Sequence, residues 1–131
     1  MSEEVFKSTL SEILKRESGV DSVILVDRTG LTISHVSRSQ NSPEKLENVG
    51  AIASAIFGAS EEQGKGLQIG DLKLLTSEYG KGKVFIASCG QGVLCVVTNP
   101  SVNMGMIRFL INKVSKKVSK LLEKLDSYGS L

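Results

Sequence analysis

Apolar residues recur at helical spacing at both ends of the chain and in its middle, with strand-like runs between them. In residues 3–17, Val5, Phe6, Thr9, Leu10, Ile13 and Leu14 form one stripe, while Glu3, Glu4, Lys7, Glu12, Lys15 and Arg16 lie elsewhere. That is an amphipathic helix, with Ser2 as N-cap and Gly19 as its stop. The spacing then changes. Val20 to Val26 is rich in β-branched residues, Asp27-Arg28-Thr29-Gly30 reads as a turn, and Leu31, Ile33 and Val36 continue beyond it. The pattern predicts a hairpin with strands 21–27 and 31–37.

A second helix is expected over 43–64, with Ser42 as N-cap, Pro43 at the first position and Glu44 favourable to the helix dipole. The glycine-rich link Gly64-Lys65-Gly66 reads as a turn leading to a strand at 71–78. Gly80-Lys81-Gly82 and Gly90-Gln91-Gly92 set off two more strands, 83–89 and 93–98, the last of which has the strongest strand composition. Asn99-Pro100 ends it, and Ser101 is expected to cap a final helix. There Met106, Ile107, Leu110, Ile111, Val114, Val118, Leu121, Leu122 and Leu125 recur at 3–4 spacing. Residues 127–131 are expected to fray.

Short links make sequential strands antiparallel neighbours. The order helix, two strands, helix, three strands, helix gives an α+β domain with a five-stranded antiparallel sheet. The runs Val23-Ile24-Leu25-Val26 and Val93-Leu94-Cys95-Val96-Val97 are apolar without alternation, as in strands buried on both faces. They belong at the sheet centre, with helices on both sides. One pairing puts strand 71–78 at an edge. The whole of 1–131 reads as one domain, with its core at about 3–126.

Helix 43–64 is the unusual element. From Asn48 to Ser60 it has no charge. Leu46, Val49, Ile52, Ala53, Ile56 and Phe57 project as one bulky face, expected to cover the sheet. Gly50, Ser54 and Gly58 form a neighbouring row and Ala51, Ala55 and Ala59 another, a face of small residues with nothing to keep it in water. That face is expected to meet a second copy of the helix. Ala51, Ser54, Ala55, Gly58 and Ala59, with Leu72 and Leu74 joining sheets through the edge strand, are the candidate interface residues.

Composition narrows the function. The 131 residues hold 40% hydrophobic and 23% charged side chains, an ordinary globular balance. A net charge of +2, with no Trp and two Tyr, favours neither a polyanion partner nor stacking on nucleic-acid bases. The cationic residues nevertheless crowd the final helix: Arg108, Lys113, Lys116, Lys117, Lys120 and Lys124, most simply a solvated face. Cys89 and Cys95 read as buried thiols in a reducing compartment, and with the single His35 they make no four-ligand metal site. No N-terminal apolar run marks a signal peptide, and the longest charge-free stretch is too short to span a bilayer, so a cytoplasmic protein is expected.

Catalytic patterns are missing. Neither Gly64-Lys65-Gly66 nor Gly80-Lys81-Gly82 matches a phosphate loop. His35 has Ser34 beside it on a strand, where neighbours face opposite ways, and no nucleophile elbow is present. Asp27 and Asp71 stand at turns. Arg28 and Arg38 are loop arginines of the type that reaches a partner's phosphate. No catalytic residue, cofactor or metal is assigned.

The chain resembles the Roadblock / dynein light chain family. The resemblance is carried by Gly19-Val20 running into Val23-Ile24-Leu25-Val26-Asp27-Arg28-Thr29-Gly30-Leu31, by Leu46, Ile52 and Ala53, and by Leu94-Cys95-Val96-Val97 leading to Asn103-Met104-Gly105-Met106-Ile107-Arg108. It covers about residues 5–125. It implies a profilin-like αββαβββα domain and a homodimer, or a heterodimer with a paralogue, paired through the second helix and third strand. It also implies a scaffold or regulator of Ras-like small GTPases that dock on the paired helices, some members acting as GTPase-activating partners. Gly58 and the 64–70 link depart from the family pattern. The expected function is therefore a non-catalytic dimeric regulator of a small GTPase, without direct membrane insertion. The alternative is a structural adaptor or motor-complex light chain without nucleotide dependence.

Overall fold

The computed structural model describes the backbone of residues 2–128 and the side chains of residues 3–125. Helix α1 spans Ser2–Arg16, strands β1 and β2 span Val20–Asp27 and Thr32–Ser37, and helix α2 spans Pro43–Leu67. Strands β3, β4 and β5 follow at Leu74–Tyr79, Gly82–Cys89 and Gly92–Thr98, and helix α3 closes the order at Met104–Tyr128. The five strands form one antiparallel sheet in the order β2-β1-β5-β4-β3. The α+β architecture and the central place of β1 and β5 are as the sequence implies.

Three layers result. Register carries two apolar rows straight across the sheet. Leu75, Ile86, Cys95, Ile24 and His35 stand opposite one another strand by strand, as do Leu74, Ala87, Leu94, Leu25 and Ser34. Because neighbouring strand residues face opposite ways, the first row belongs to one core and the second to another. Ile24, Ile86 and Cys95 pack with Leu46, Ala53 and Phe57 of α2. Leu25, Ala87 and Leu94 pack with Phe6, Leu10 and Ile13 of α1 and Ile107, Leu110, Val114 and Val118 of α3. The unalternating runs are buried on both sides because helices cover both sides.

Several boundaries differ from expectation. Gly64-Lys65-Gly66 is not a turn but the last part of α2, which stops only when Gln68 takes a left-handed φ of 56° and its N–H bonds the carbonyls of Gly64 and Lys65. Helical hydrogen bonds outweigh the modest intrinsic cost of two glycines. In consequence β3 begins at Leu74, and Leu72 lies in the connection rather than the strand. The cap of α3 is Asn103, whose Oδ1 accepts the Met106 N–H at 2.9 Å, while the Ser101 N–H bonds Asn99 Oδ1. Ser2, expected as the N-cap, already belongs to α1. Of the tail expected to fray, α3 includes Ser127 and Tyr128, and 129–131 lie outside the described residues.

Candidate functional site

The orientation of α2 decides what the molecule presents. Its buried stripe is Leu46, Gly50, Ala53, Ser54 and Phe57. The expectation that Ile52 and Ile56 help cover the sheet is overturned: they are 60% and 42% exposed. The reason is close approach. A Cβ on Gly50 would stand 2.5 Å from Val26 Cγ1 and 2.9 Å from Ile24 Cγ2, so α2 settles its backbone onto β1 through a residue without one. Helical projection finds two adjacent stripes, and only packing chooses which one faces the sheet.

This choice disperses the predicted site residues. Ala51, Ala55 and Ala59 are exposed along the outside of α2, and Gly58 is half-buried with open space where its Cβ would be. Ser54 is turned inward instead, its hydroxyl donating to the carbonyls of Asp27 (3.2 Å) and Arg28 (3.4 Å), so its side chain is satisfied within the chain. Leu72 packs against the core beneath α2 and Leu74 against the core on the opposite sheet face. Those two leucines do not form one patch.

What sequence reasoning missed is an apolar groove of about 210 Å³ beside α2. Val49, Ile52, Ala53 and Ile56 form one wall, and Ser77, Tyr79, Val84 and Ile86 of β3 and β4 form the other. Tyr79 is 62% exposed. The groove exists because α2 lies mainly over β1 and β5 and reaches β4 only at its near side, leaving β3 on the same face without a helix over it. Beyond it, among the described residues, β3 pairs only with β4, so one row of its backbone N–H and C=O groups faces away from the sheet, a template for another strand. The charge-free run from Asn48 to Ser60 was the available signal; it marked the helix but not the side.

The two loop arginines are held within the fold. Arg28 donates through Nη1 to Glu61 Oε1 (2.7 Å), through Nη2 to Ser88 Oγ (2.9 Å) and Gly90 O (3.1 Å), and through Nε to Gly90 O (3.2 Å). Its guanidinium also lies 5.5 Å from the Phe57 ring centroid. It ties the β1–β2 turn to α2 and to the β4–β5 turn. Arg38 donates to the carbonyls of Val20, Leu14 and Glu17, closing the end of α1. The arginine-finger reading of these residues finds no free guanidinium.

Asp27, Asp21, Cys89 and Cys95 are held by the fold. Burial works to raise Asp27, but bonds from the Thr29 hydroxyl and the N–H groups of Leu31, Thr29 and Gly30 outweigh it and hold the carboxyl below its ordinary 3.8. Asp21 is likewise lowered: burial raises it, and Ser22, Ser39, Asn41 and the Lys45 charge overcome that. Burial pushes the thiols of Cys89 and Cys95 up to about 12, with Arg28 pulling slightly the other way at Cys89. Among the described residues no three His, Cys, Asp or Glu side chains are grouped to hold a metal. No described helix is long and apolar enough to cross a membrane.

A five-stranded antiparallel sheet with two helices on one face and one on the other defines the class: a profilin-like α+β domain. The family model of the Roadblock/LC7 domain matches residues 7–99, and the chain belongs to that family. It is 32% identical over 108 residues to the uncharacterized proteins MJ1340 and MJ0310 of Methanocaldococcus jannaschii, spanning 82% of this chain and 92% of each relative. Its fold is similar to a solved Roadblock/LC7 domain from Streptomyces avermitilis (TM-score 0.80, 18% identity, 88% of this chain and 96% of that one). It is similar also to Myxococcus xanthus MglB (TM-score 0.82, 21% identity, 92% and 97%). A further MglB structure, described as a tetrameric arrangement, matches with TM-score 0.84 at 16% identity over 94% of this chain and 91% of that one.

Proposed function

We propose that this protein is a non-catalytic dimeric module that binds a Ras-like small GTPase and regulates it in the cytoplasm. The observation that carries the reading is the pairing of an exposed apolar groove, around Ile52, Ile56 and Tyr79, with the unpaired edge of β3. A two-fold axis beside that edge would join two sheets through β3 and bring two α2 helices together, with Ala51, Ala55, Gly58 and Ala59 on the combined surface. Apolar burial would drive the association and edge hydrogen bonds would set its register. Membership of the Roadblock/LC7 family supports a partner of the small-GTPase class, and the tetrameric MglB supports assembly between copies of this fold. Regulation would follow from differential affinity for the two nucleotide states of the partner's switch loops.

Light scattering tests the first half: the expected mass is twice the 14.0 kDa of one chain. Ile56→Glu, a change at an exposed position, should return the monomer mass without unfolding. A wild-type monomer at micromolar concentration overturns the dimer. Capture of small GTPases loaded with a GTP analogue or with GDP tests the second half. Unequal recovery supports the regulator, whereas equal recovery identifies a structural adaptor.

A further inference from the structure

The face of α3 turned away from the sheet is not used by the proposed partner site, which lies on the other side of the molecule. Projected at 100° per residue, Met106, Phe109, Lys113, Lys116, Lys120 and Lys124 fall on one narrow stripe about 27 Å long. It lies opposite the buried residues Ile107, Ile111, Val114, Val118 and Leu122. Met106 and Phe109 are 37% and 55% exposed, and Lys116, Lys120 and Lys124 are exposed while Lys113 is half-buried.

Among the described residues the acids do not pair with this stripe. Glu12 of α1 pairs with Lys117 on the flank at 2.8 Å, and Glu3 pairs with Lys7 along α1 itself. Glu123 borders the stripe, next to Lys116 in projection and three residues from Lys120, but makes no ion pair among the described residues. Among the described residues Lys113, Lys116, Lys120 and Lys124 make no ion pair. Arg16 of α1 adds a further cation, its guanidinium 5.9 Å from the Phe109 ring. The charge of the chain is sharply divided: α3 has six of the 16 basic residues and two of the 14 acidic ones, so it is net +4 while the rest is net −2.

We infer that this stripe is a docking surface for an anionic lipid bilayer, on which the protein lies peripherally with α3 in the interfacial plane. Lysines are strongly hydrated point charges, suited to the diffuse negative potential of a headgroup layer. Phe109 and Met106 give one end of the same stripe an apolar contact that reaches the acyl boundary, a contact with no use against a phosphodiester backbone. A convex single line of lysines offers neither a groove for a duplex nor an aromatic platform for bases. The helix remains packed on the sheet throughout, so the attachment is reversible and salt-sensitive, and the α2 face is left pointing into solution.

Sedimentation with vesicles tests this directly, using equimolar phosphatidylcholine and phosphatidylglycerol against phosphatidylcholine alone. The expected result is capture by the anionic vesicles only. The triple variant Lys116→Glu, Lys120→Glu, Lys124→Glu should lower that affinity by about a hundredfold or more, with an unchanged circular dichroism spectrum. Should the variant fail to fold, wild-type release from the same vesicles at high salt supplies the equivalent reading. Equal capture by neutral vesicles, binding indifferent to both salt and the lysine changes, or no capture at all overturns the inference. So does a DNA or RNA duplex that competes the protein off the vesicles at equal phosphate concentration.

Discussion

Gly50 of α2 and Val26 of β1 are in contact closer than any side chain would permit: a Cβ at Gly50 would meet Val26 Cγ1 at 2.5 Å. Because Val26 is fully buried it cannot swing aside. Gly50→Ala should therefore lower stability by about 1–3 kcal/mol, read as a lower urea midpoint with an unchanged slope. Gly58, eight residues along the same helix, has open space at that position. Gly58→Ala should raise stability by about 0.5–1 kcal/mol. The opposite signs at two glycines of one uncharged run are a direct test of how α2 is seated.

Arg28 holds three elements with one guanidinium. Arg28→Ala should cost about 1–2 kcal/mol, since the carbonyl of Gly90 loses a charged donor and Glu61 loses its partner. Arg28→Lys should recover only part, because a lysine cannot reproduce the fork that spans Glu61, Ser88 and Gly90. A double-mutant cycle with Glu61→Gln should return about 0.5–1 kcal/mol of coupling, the pair being partly exposed.

Asp27 and Asp21 are depressed in the folded chain, which fixes the sign of the acid response. A carboxylate held below its ordinary value binds fewer protons folded than unfolded, so its contribution is present above pH 3.8 and is lost as pH falls through the folded value. The urea midpoint should be level from neutrality to about pH 5 and decline below pH 4. Asp27→Asn should make that decline shallower, because the amide still accepts from the turn and does not titrate.

Cys89 and Cys95 are 2% and 0% exposed, and burial raises both thiols to about 12. Neither should react with a thiol reagent at neutral pH while the domain is folded, since the thiolate is the nucleophile. In denaturant both should label at the rate of a free cysteine. Rapid labelling of either in native buffer would show local opening at the β4–β5 hairpin.

Much of this molecule is legible in its sequence, for identifiable reasons. The helices show as 3–4 spacing because one stripe of each must be dry, and β1 and β5 show as unbroken apolar runs because both sheet faces are covered. Turn chemistry at Asp27-Arg28-Thr29-Gly30 is local: Asp27 Oδ1 accepts the N–H groups of Thr29 and Leu31, and Gly30 takes φ 95°. Gly64-Lys65-Gly66 does not end α2 because a helix already packed along its length continues through weak formers, and Asn103 rather than Ser101 caps α3 because it is two residues nearer the first turn.

The candidate site divides in the same way. That α2 lacks a charged face between Asn48 and Ser60 was decided by residue types alone, and so was the cationic stripe of α3. The side of α2 that meets solvent was not, because Gly50, Ile52, Ser54 and Ile56 all lie in the charge-free run from Asn48 to Ser60, and contact with Val26 and Ile24 determined the rotation. Likewise the arginine at position 28 is visible in the sequence, but Glu61, Ser88 and Gly90 come to it only through the sheet order β2-β1-β5-β4-β3. Periodicity and turn chemistry depend on neighbours a few residues apart; the groove and the arginine staple depend on which distant surfaces touch, and that is a property of the packed chain.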